Sequence, residues 1–424
     1  MDMTAMKCFR PSVFVIALAA CMCFAEGVVS IKTTRPDALY DISQKAVFGV
    51  TSTAPIDIEY TLTLDGKDVL GSGKMSVSDK PVRIEGTLDK PGFLRCTLKY
   101  KNPQTNAVEY AVAAAGFEPE KLQPAFDNVP EDFDAFWDER KKELACIPME
   151  PVMEAAKSAD AGIEIFDVKV RCIGMPVSGY YARGVDAKEG KCPAILFVQG
   201  AGVGSATTGR ITEYSKLGFI AMEINAHGIA NGQSKAYYDE LNTGKLFNYK
   251  HFGKESPYTS YFTGMFMRVM RALEFLKSQP QWDGKILVAY GSSQGGAQAL
   301  AAAGLDSDVN IVMAGVPAMC DHSGMINGWP LTVPVEKDGT YNKQISESTR
   351  YIDSVNFARK SKAYGIFTVG FIDNTCRPTS VYAAYNSFGG VDKQMINEPL
   401  MAHAFPQPHC DAVREKILRL IAAK

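Results

Sequence analysis

The chain has 424 residues, 46% hydrophobic and 22% charged, with a formal net charge of -2. That is the composition of a folded protein and excludes wholesale disorder. The balance of 45 basic against 47 acidic side chains argues against nucleic acid or an anionic membrane as partner, since both select a basic excess. At about 100–200 residues per domain, the length predicts two or three domains.

The N-terminus reads as a secretory signal over residues 1–25. Lys7 and Arg10 precede the apolar run Ser12 to Ala20, and small residues lead to Ala25 just before Glu26. The apolar core is too short to span a bilayer. Two processing readings stand. Cleavage after Ala25 releases a soluble protein and is preferred. The alternative is Leu18-Ala19-Ala20-Cys21, which resembles a bacterial lipobox and would leave Cys21 lipidated as an anchor. No later stretch reaches about 18 consecutive apolar residues, so no membrane span is expected. The protein is expected to be periplasmic or extracellular. Three of the ten cysteines fall in the signal, and seven remain: Cys96, Cys146, Cys172, Cys192, Cys320, Cys376 and Cys410. Seven is odd, so at least one is free or pairs between chains. No CxxC pair occurs, and no structural zinc is expected.

Residues 26–120 alternate with period two. Ile56, Ile58, Tyr60, Leu62 and Leu64 interleave with Asp57, Glu59, Thr61 and Thr63, and the turn Asp65-Gly66 follows. Leu94, Cys96, Leu98 and Tyr100 interleave with Arg95, Thr97 and Lys99. Such patterns predict strands with one buried and one wet face, and together a small immunoglobulin-like β-sandwich. Its two readings are a packing or spacer module and a carbohydrate-binding module.

A proline-bearing connector, Phe117 to Asn128, leads to a helix that starts at Pro130 and carries Phe133, Phe136, Trp137 and Leu144 on one face. Trp137 on such a face reads as core rather than sugar platform. Residues 121–424 then alternate strand and helix. Apolar runs at Ala194–Val198, Phe219–Met222, Ile286–Tyr290, Asn310–Ala314 and Gly365–Phe371 are separated by amphipathic segments. This predicts an α/β domain with a mostly parallel sheet covered on both faces, and a site at the strands' carboxyl ends.

Strand Ile286–Tyr290 runs into Gly291-Ser292-Ser293-Gln294-Gly295-Gly296, followed by a small-residue helix. G-x-S-x-G at a strand-to-helix turn is the nucleophile elbow of α/β-hydrolases, with Ser293 as nucleophile. That fold takes its acid and then its histidine later in the chain. Asp373 follows Gly365–Phe371 and is the acid, with Asp353 as rival. Of the five histidines, His403 and His409 lie after Asp373, and His322 lies before it and breaks the order. The oxyanion hole needs two N–H donors. Gln294, next to the nucleophile, supplies one. The loop Gln199-Gly200-Ala201-Gly202-Val203-Gly204 supplies the other. No metal or organic cofactor is required.

The segments YFTGMFMRVMRALEFL and GSSQGGAQALAAAGL, Ile352 to Ala358, FTVGFIDNTCRPTSVYAAYNSF and PEDFDAFWDERKKEL resemble the acetyl xylan esterases and cephalosporin C deacetylases of carbohydrate esterase family 7. The resemblance covers about Asn128 to Lys424. It implies Ser293 as nucleophile, Asp373 in its D-x-x-C-x-P segment as acid and His403 as base, with Ala201 at the family's oxyanion tyrosine. It further implies an acetylated carbohydrate as substrate and assembly into a homo-oligomer, which an added sandwich would resist. Three positions depart from the family pattern: Ala226-His227-Gly228 for Arg-Gly-Gln, Ala201 for tyrosine, and His403-Ala404 for His-Glu. The expected function is a secreted serine carboxylesterase. The alternatives are a serine peptidase of the same fold and a carbohydrate-binding protein with a decayed hydrolase domain.

Overall fold

A computed structural model describes residues 28–125, 129–322, 324 and 340–422. Residues 1–25, which the sequence marks as an expected signal, and with them Cys21, lie outside the described residues. The first eight strands form two sheets. Strands β1 (Val29–Thr33), β3 (Ala46–Ser52) and β6 (Val82–Gly86) form one, in the order β1-β3-β6. Strands β2 (Leu39–Tyr40), β4 (Ile56–Leu64), β5 (Asp68–Val77), β7 (Gly92–Lys101) and β8 (Val108–Phe117) form the other, in the order β2-β8-β7-β4-β5. Phe48, Ile58, Cys96, Leu98 and Phe117 pack between the two sheets. The alternation in β4 and β7 therefore has the expected buried face. Asp65 and Gly66, joining β4 to β5, both take positive φ (47° and 77°), the conformation that glycine adopts freely and aspartate tolerates.

Helix α1 (Phe133–Ala145) starts three residues after Pro130, and its predicted apolar face is wholly buried. A nine-stranded sheet follows. Its strands are β9 (Val152–Ala156), β10 (Ile163–Val170), β11 (Val177–Gly184), β12 (Cys192–Val198), β13 (Ile220–Ile224), β14 (Trp282–Ser292), β15 (Ile311–Gly315), β16 (Tyr364–Gly370) and β17 (Asp392–Glu398). They lie in the order β17-β16-β15-β14-β12-β13-β11-β10-β9. Strands β12 to β17 pair in parallel with one another, whereas the pairs β13–β11, β11–β10 and β10–β9 are antiparallel. The helices between them are α2 (Gly209–Lys216), α3 (Lys235–Thr243), α4 (Tyr261–Ser278), α5 (Gln294–Leu305), α6 (Lys343–Thr349), α7 (Ser354–Lys360) and α8 (Pro378–Ser387), with α9 (Gln407–Ala422) last.

Strand β12 explains the continuous apolar runs. Ala194, Leu196 and Val198 pack under α1, α4 and α5, while Ile195 and Phe197 pack under α2 and α9. Successive side chains point to opposite faces, and here both faces are covered. Among the described residues, no helix is long and apolar enough to cross a membrane, and all seven cysteines are free.

One sequence expectation is corrected. The alternation puts Arg95 on the wet face of β7, yet it is only 4% exposed. That face is covered by the α/β domain: Phe93 and Ala114 of the sandwich and the connector residue Leu122 share a core with Val369, Phe371 and Tyr382.

Candidate active site

Strand β14 ends at Ser292 and α5 begins at Gln294, leaving Ser293 alone in the turn with φ 58° and ψ -126°. A non-glycine residue holds such a conformation only where its surroundings over-determine it. They do here. Ser293 N–H donates to the Gly315 carbonyl at 2.8 Å, and the Ser293 carbonyl accepts from Ala318 N–H at 2.9 Å. The elbow glycines permit the tight approach. A Cβ on Gly291 would lie 2.2 Å from the Gly295 carbonyl oxygen, and one on Gly295 would lie 2.4 Å from the Val198 carbonyl oxygen.

The loop after β16 carries Asp373, which is fully buried. Its Oδ1 accepts from Thr375 N–H at 2.6 Å and Cys376 N–H at 2.9 Å. Oδ2 is left for His403 Nδ1, at 2.8 Å. A carboxylate only accepts, so Nδ1 carries the proton and Nε2 accepts from the Ser293 hydroxyl at 3.0 Å. His403 reaches this place because the segment before it lies on the end of β16: Ile372 N–H donates to the Met401 carbonyl at 3.2 Å. Burial, with the Asp373 charge acting in the same direction, pushes the Cys376 thiol up, which keeps it neutral.

The structure therefore brings Ser293, His403 and Asp373 into one hydrogen-bonded chain. It keeps the rivals out. Asp353 caps α7 and accepts from Val355 N–H at 2.8 Å and His322 N–H at 2.7 Å. His409 Nε2 pairs with Glu398 at 2.7 Å, and the buried His322 bonds the Thr349 carbonyl at 3.0 Å.

Gln294 is the first residue of α5, so its backbone N–H has no acceptor within the helix. Opposite lies the loop after β12, where a Cβ on Gly200 would be 3.8 Å from Ser293 Cβ. Ala201 lies exposed in a groove lined by Gln199 to Ser205. Gln298 Nε2 ties the loop to α5 by donating to the Gln199 carbonyl at 2.8 Å. Ala404 is exposed beside His403.

His227 is 1% exposed at the end of β13. Its Nε2 contacts the Gly202 carbonyl at 2.9 Å, and its Nδ1 contacts Tyr261 Oη at 2.8 Å. The carbonyl can only accept, so Nε2 carries the proton and Nδ1 accepts from the tyrosine. Burial pulls its pKa down to about 4, with nearby Arg268 acting in the same direction. Tyr249 stacks edge-on against His227 at 4.6 Å and donates its hydroxyl to Gln294 Oε1. Sequence reasoning missed Tyr249, Tyr261 and Arg268. Arg268 lies in the apolar pattern of α4 and donates to the Ala226 carbonyl at 2.7 Å, but nothing local marks it.

Residues 120–414 match the family model of acetyl xylan esterases. The chain is 30% identical over 363 residues to acetyl esterase Axe7A of Xylanibacter ruminicola, covering 82% of this chain and 79% of that protein. Two solved structures share the fold. The acetyl xylan esterase from Paenibacillus sp. R4 superposes with a TM-score of 0.63 at 23% identity, over 71% of this chain and 98% of that one. Acetyl xylan esterase 1 from Thermoanaerobacterium sp. JW/SL YS485 gives 0.61 at 20% identity, over 72% and 98%. These matches, resting on an α/β domain whose strand ends carry a serine elbow, place the chain in the acetyl xylan esterase family, as a carboxylic ester hydrolase of the deacetylating kind.

Proposed function

We propose that the protein is an exported serine esterase that removes acetyl groups from polysaccharide or oligosaccharide. The observation that carries this reading is the relay Ser293–His403–Asp373, with contacts of 3.0 and 2.8 Å. Ser293 Oγ attacks the acetyl carbonyl carbon and gives its proton to His403 Nε2. Asp373 holds the imidazole in the receptive tautomer and stabilises its cation. The tetrahedral oxyanion accepts hydrogen bonds from the N–H groups of Gln294 and Ala201. The C–O bond to the sugar then breaks, and the sugar oxygen takes the proton from Nε2. Water, deprotonated by His403, attacks the acetyl-serine. Acetate departs and Ser293 regains its proton. The N-terminal segment directs export, either with cleavage after Ala25 or with a lipid anchor on Cys21.

The test is acetate release from acetylated xylan and from a chromogenic acetate ester, with Ser293→Ala as control. Loss of a triad nucleophile lowers kcat by about 10⁴- to 10⁶-fold. Undiminished activity in the variant would remove Ser293 from its role. Cleavage of peptides but not of esters would make the enzyme a peptidase.

A further inference from the structure

The sandwich reaches the loop that carries Asp373 at several points. Arg95 of β7 donates from Nη2 to the Asp373 carbonyl at 3.1 Å and from Nη1 to Asn374 Oδ1. In return, Arg377 Nη1 donates to the Asp65 carbonyl, and Thr379 Oγ1 donates to Asp65 Oδ2. The two guanidinium groups meet over the β4–β5 turn. A Cβ on Gly66 would lie 3.0 Å from a nitrogen of each. Asp65 is buried between these cations and is 3% exposed. Below this polar knot, Phe93 packs edge-on against Phe371 at 4.9 Å. Farther along, Asn386 Nδ2 donates to the Pro119 and Leu122 carbonyls, both at 2.9 Å.

All of these contacts except those of Asn386 fall on one short stretch. Phe371, Asp373, Asn374, Arg377 and Thr379 are all held, and Asp373 lies among them. The carboxylate's aim depends on that backbone, because Oδ1 is fixed by N–H groups of residues 375 and 376 and only Oδ2 faces His403. A buried guanidinium that spends two donors on this loop, in a fixed fork, resists both tilt and translation.

We propose that the N-terminal sandwich is a positioning element of the active site: Arg95, braced by Asp65, holds the 371–379 loop so that Asp373 meets His403. Arg95 touches neither substrate nor a reacting atom and acts through Asp373. The proposal rests on the Ser293–His403–Asp373 reading.

The test uses the full chain and a chromogenic acetate ester, with Arg95→Ala, Arg95→Lys, Asn386→Ala and Ser293→Ala. Arg95→Ala is expected to lower kcat by about 10- to 100-fold, the scale of a misplacement of about 1 Å, with KM within about threefold. Added guanidinium ion restores part of the loss. Arg95→Lys keeps the charge but not the fork, so its kcat is expected to fall between the two; it carries the test if Arg95→Ala does not fold. Asn386→Ala loosens the same interface away from Asp373, so it lowers Tm and leaves kcat within twofold. Two results would overturn the proposal: a folded Arg95 variant with kcat within twofold of the parent, or equal kcat losses in Arg95→Ala and Asn386→Ala that track lost stability. If Ser293→Ala is inactive while the Arg95 variants are normal, only this proposal fails. If Ser293→Ala stays active, the triad reading fails, and this one with it.

Discussion

Replacing Gly295 with alanine puts a methyl carbon 2.4 Å from the Val198 carbonyl oxygen and 3.1 Å from both the carbon and the oxygen of the Gln199 carbonyl. Ordinary contact begins near 3.4 Å. No flexible side chain can yield, since every crowded atom is backbone. The end of β12 and the start of α5 must therefore separate by about 1 Å. The proposed oxyanion donors lie on opposite sides of that contact, Ala201 on the β12 loop and Gln294 at the start of α5. A separation of about 1 Å takes at least one donor out of reach, and losing one such donor costs about 10²- to 10³-fold in kcat. Overpacking a closely packed site also costs about 1–3 kcal/mol of stability. The assay is kcat and KM on a chromogenic acetate ester, with urea unfolding to confirm that the variant folds. Gly209→Ala is the control, since a methyl there meets nothing within 4 Å. A folded Gly295→Ala enzyme with kcat within threefold of the parent would refute the placement of the oxyanion hole between these two segments.

His227 gives a pH dependence of stability. Its folded pKa of about 4 lies below the value near 6.5 of a free imidazole. The unfolded chain therefore takes up a proton first as the pH falls. The stabilisation is complete above pH 6.5 and is lost as the pH falls toward 4, amounting to about 2 kcal/mol by pH 5. Urea unfolding at pH 7.5 and 5.0 should show this extra loss in the parent and not in His227→Gln; equal losses in both would rule it out. Trp137 is 1% exposed, donates Nε1–H to the Tyr351 carbonyl at 3.1 Å and packs edge-on against Phe357 at 5.4 Å. Trp137→Ala should cost about 3–5 kcal/mol of unfolding free energy. A raised KM for acetylated oligosaccharide without lost stability would instead make the tryptophan a sugar platform.

What was legible in the sequence is what local physics controls. Ser293 could be read because the elbow's requirements, a strand, two glycines and a helix, are contiguous. The central strands could be read because burial on both faces gives unbroken apolar runs. Strand β17, with sequence Asp-Lys-Gln-Met-Ile-Asn-Glu, was not marked as a strand, because an edge strand keeps polar residues. Strand β9, Val-Met-Glu-Ala-Ala, lies at the opposite edge and is silent for another reason: it is short and shows no regular alternation. Asp373 came from chain order, and His403 was separated from His409 by family resemblance. Tyr249 reaches the Gln294 side chain and Arg268 the Ala226 carbonyl only after folding, and no spacing announces them.

Arg95 shows where the period-two argument stops. Alternation says which residues leave the sandwich core; it does not say whether they meet water or protein. Arg95 and Asp373 are 278 positions apart, so no local pattern links them. A polar residue on the outer face of a strand costs nothing in water. Against a second domain the same residue is desolvated, a cost that its hydrogen bonds and a nearby opposite charge must offset. Arg95 Nη1 and Nη2 find acceptors on the loop of Asp373, and Asp65 supplies a compensating charge. A spacer module has no need of such a buried polar junction, since apolar contacts such as Phe93 on Phe371 would hold two domains together at less cost in desolvation. What the polar junction adds is direction: a guanidinium fork fixes both the orientation and the distance of the loop that it grips, and the aim of Oδ2 at His403 depends on both.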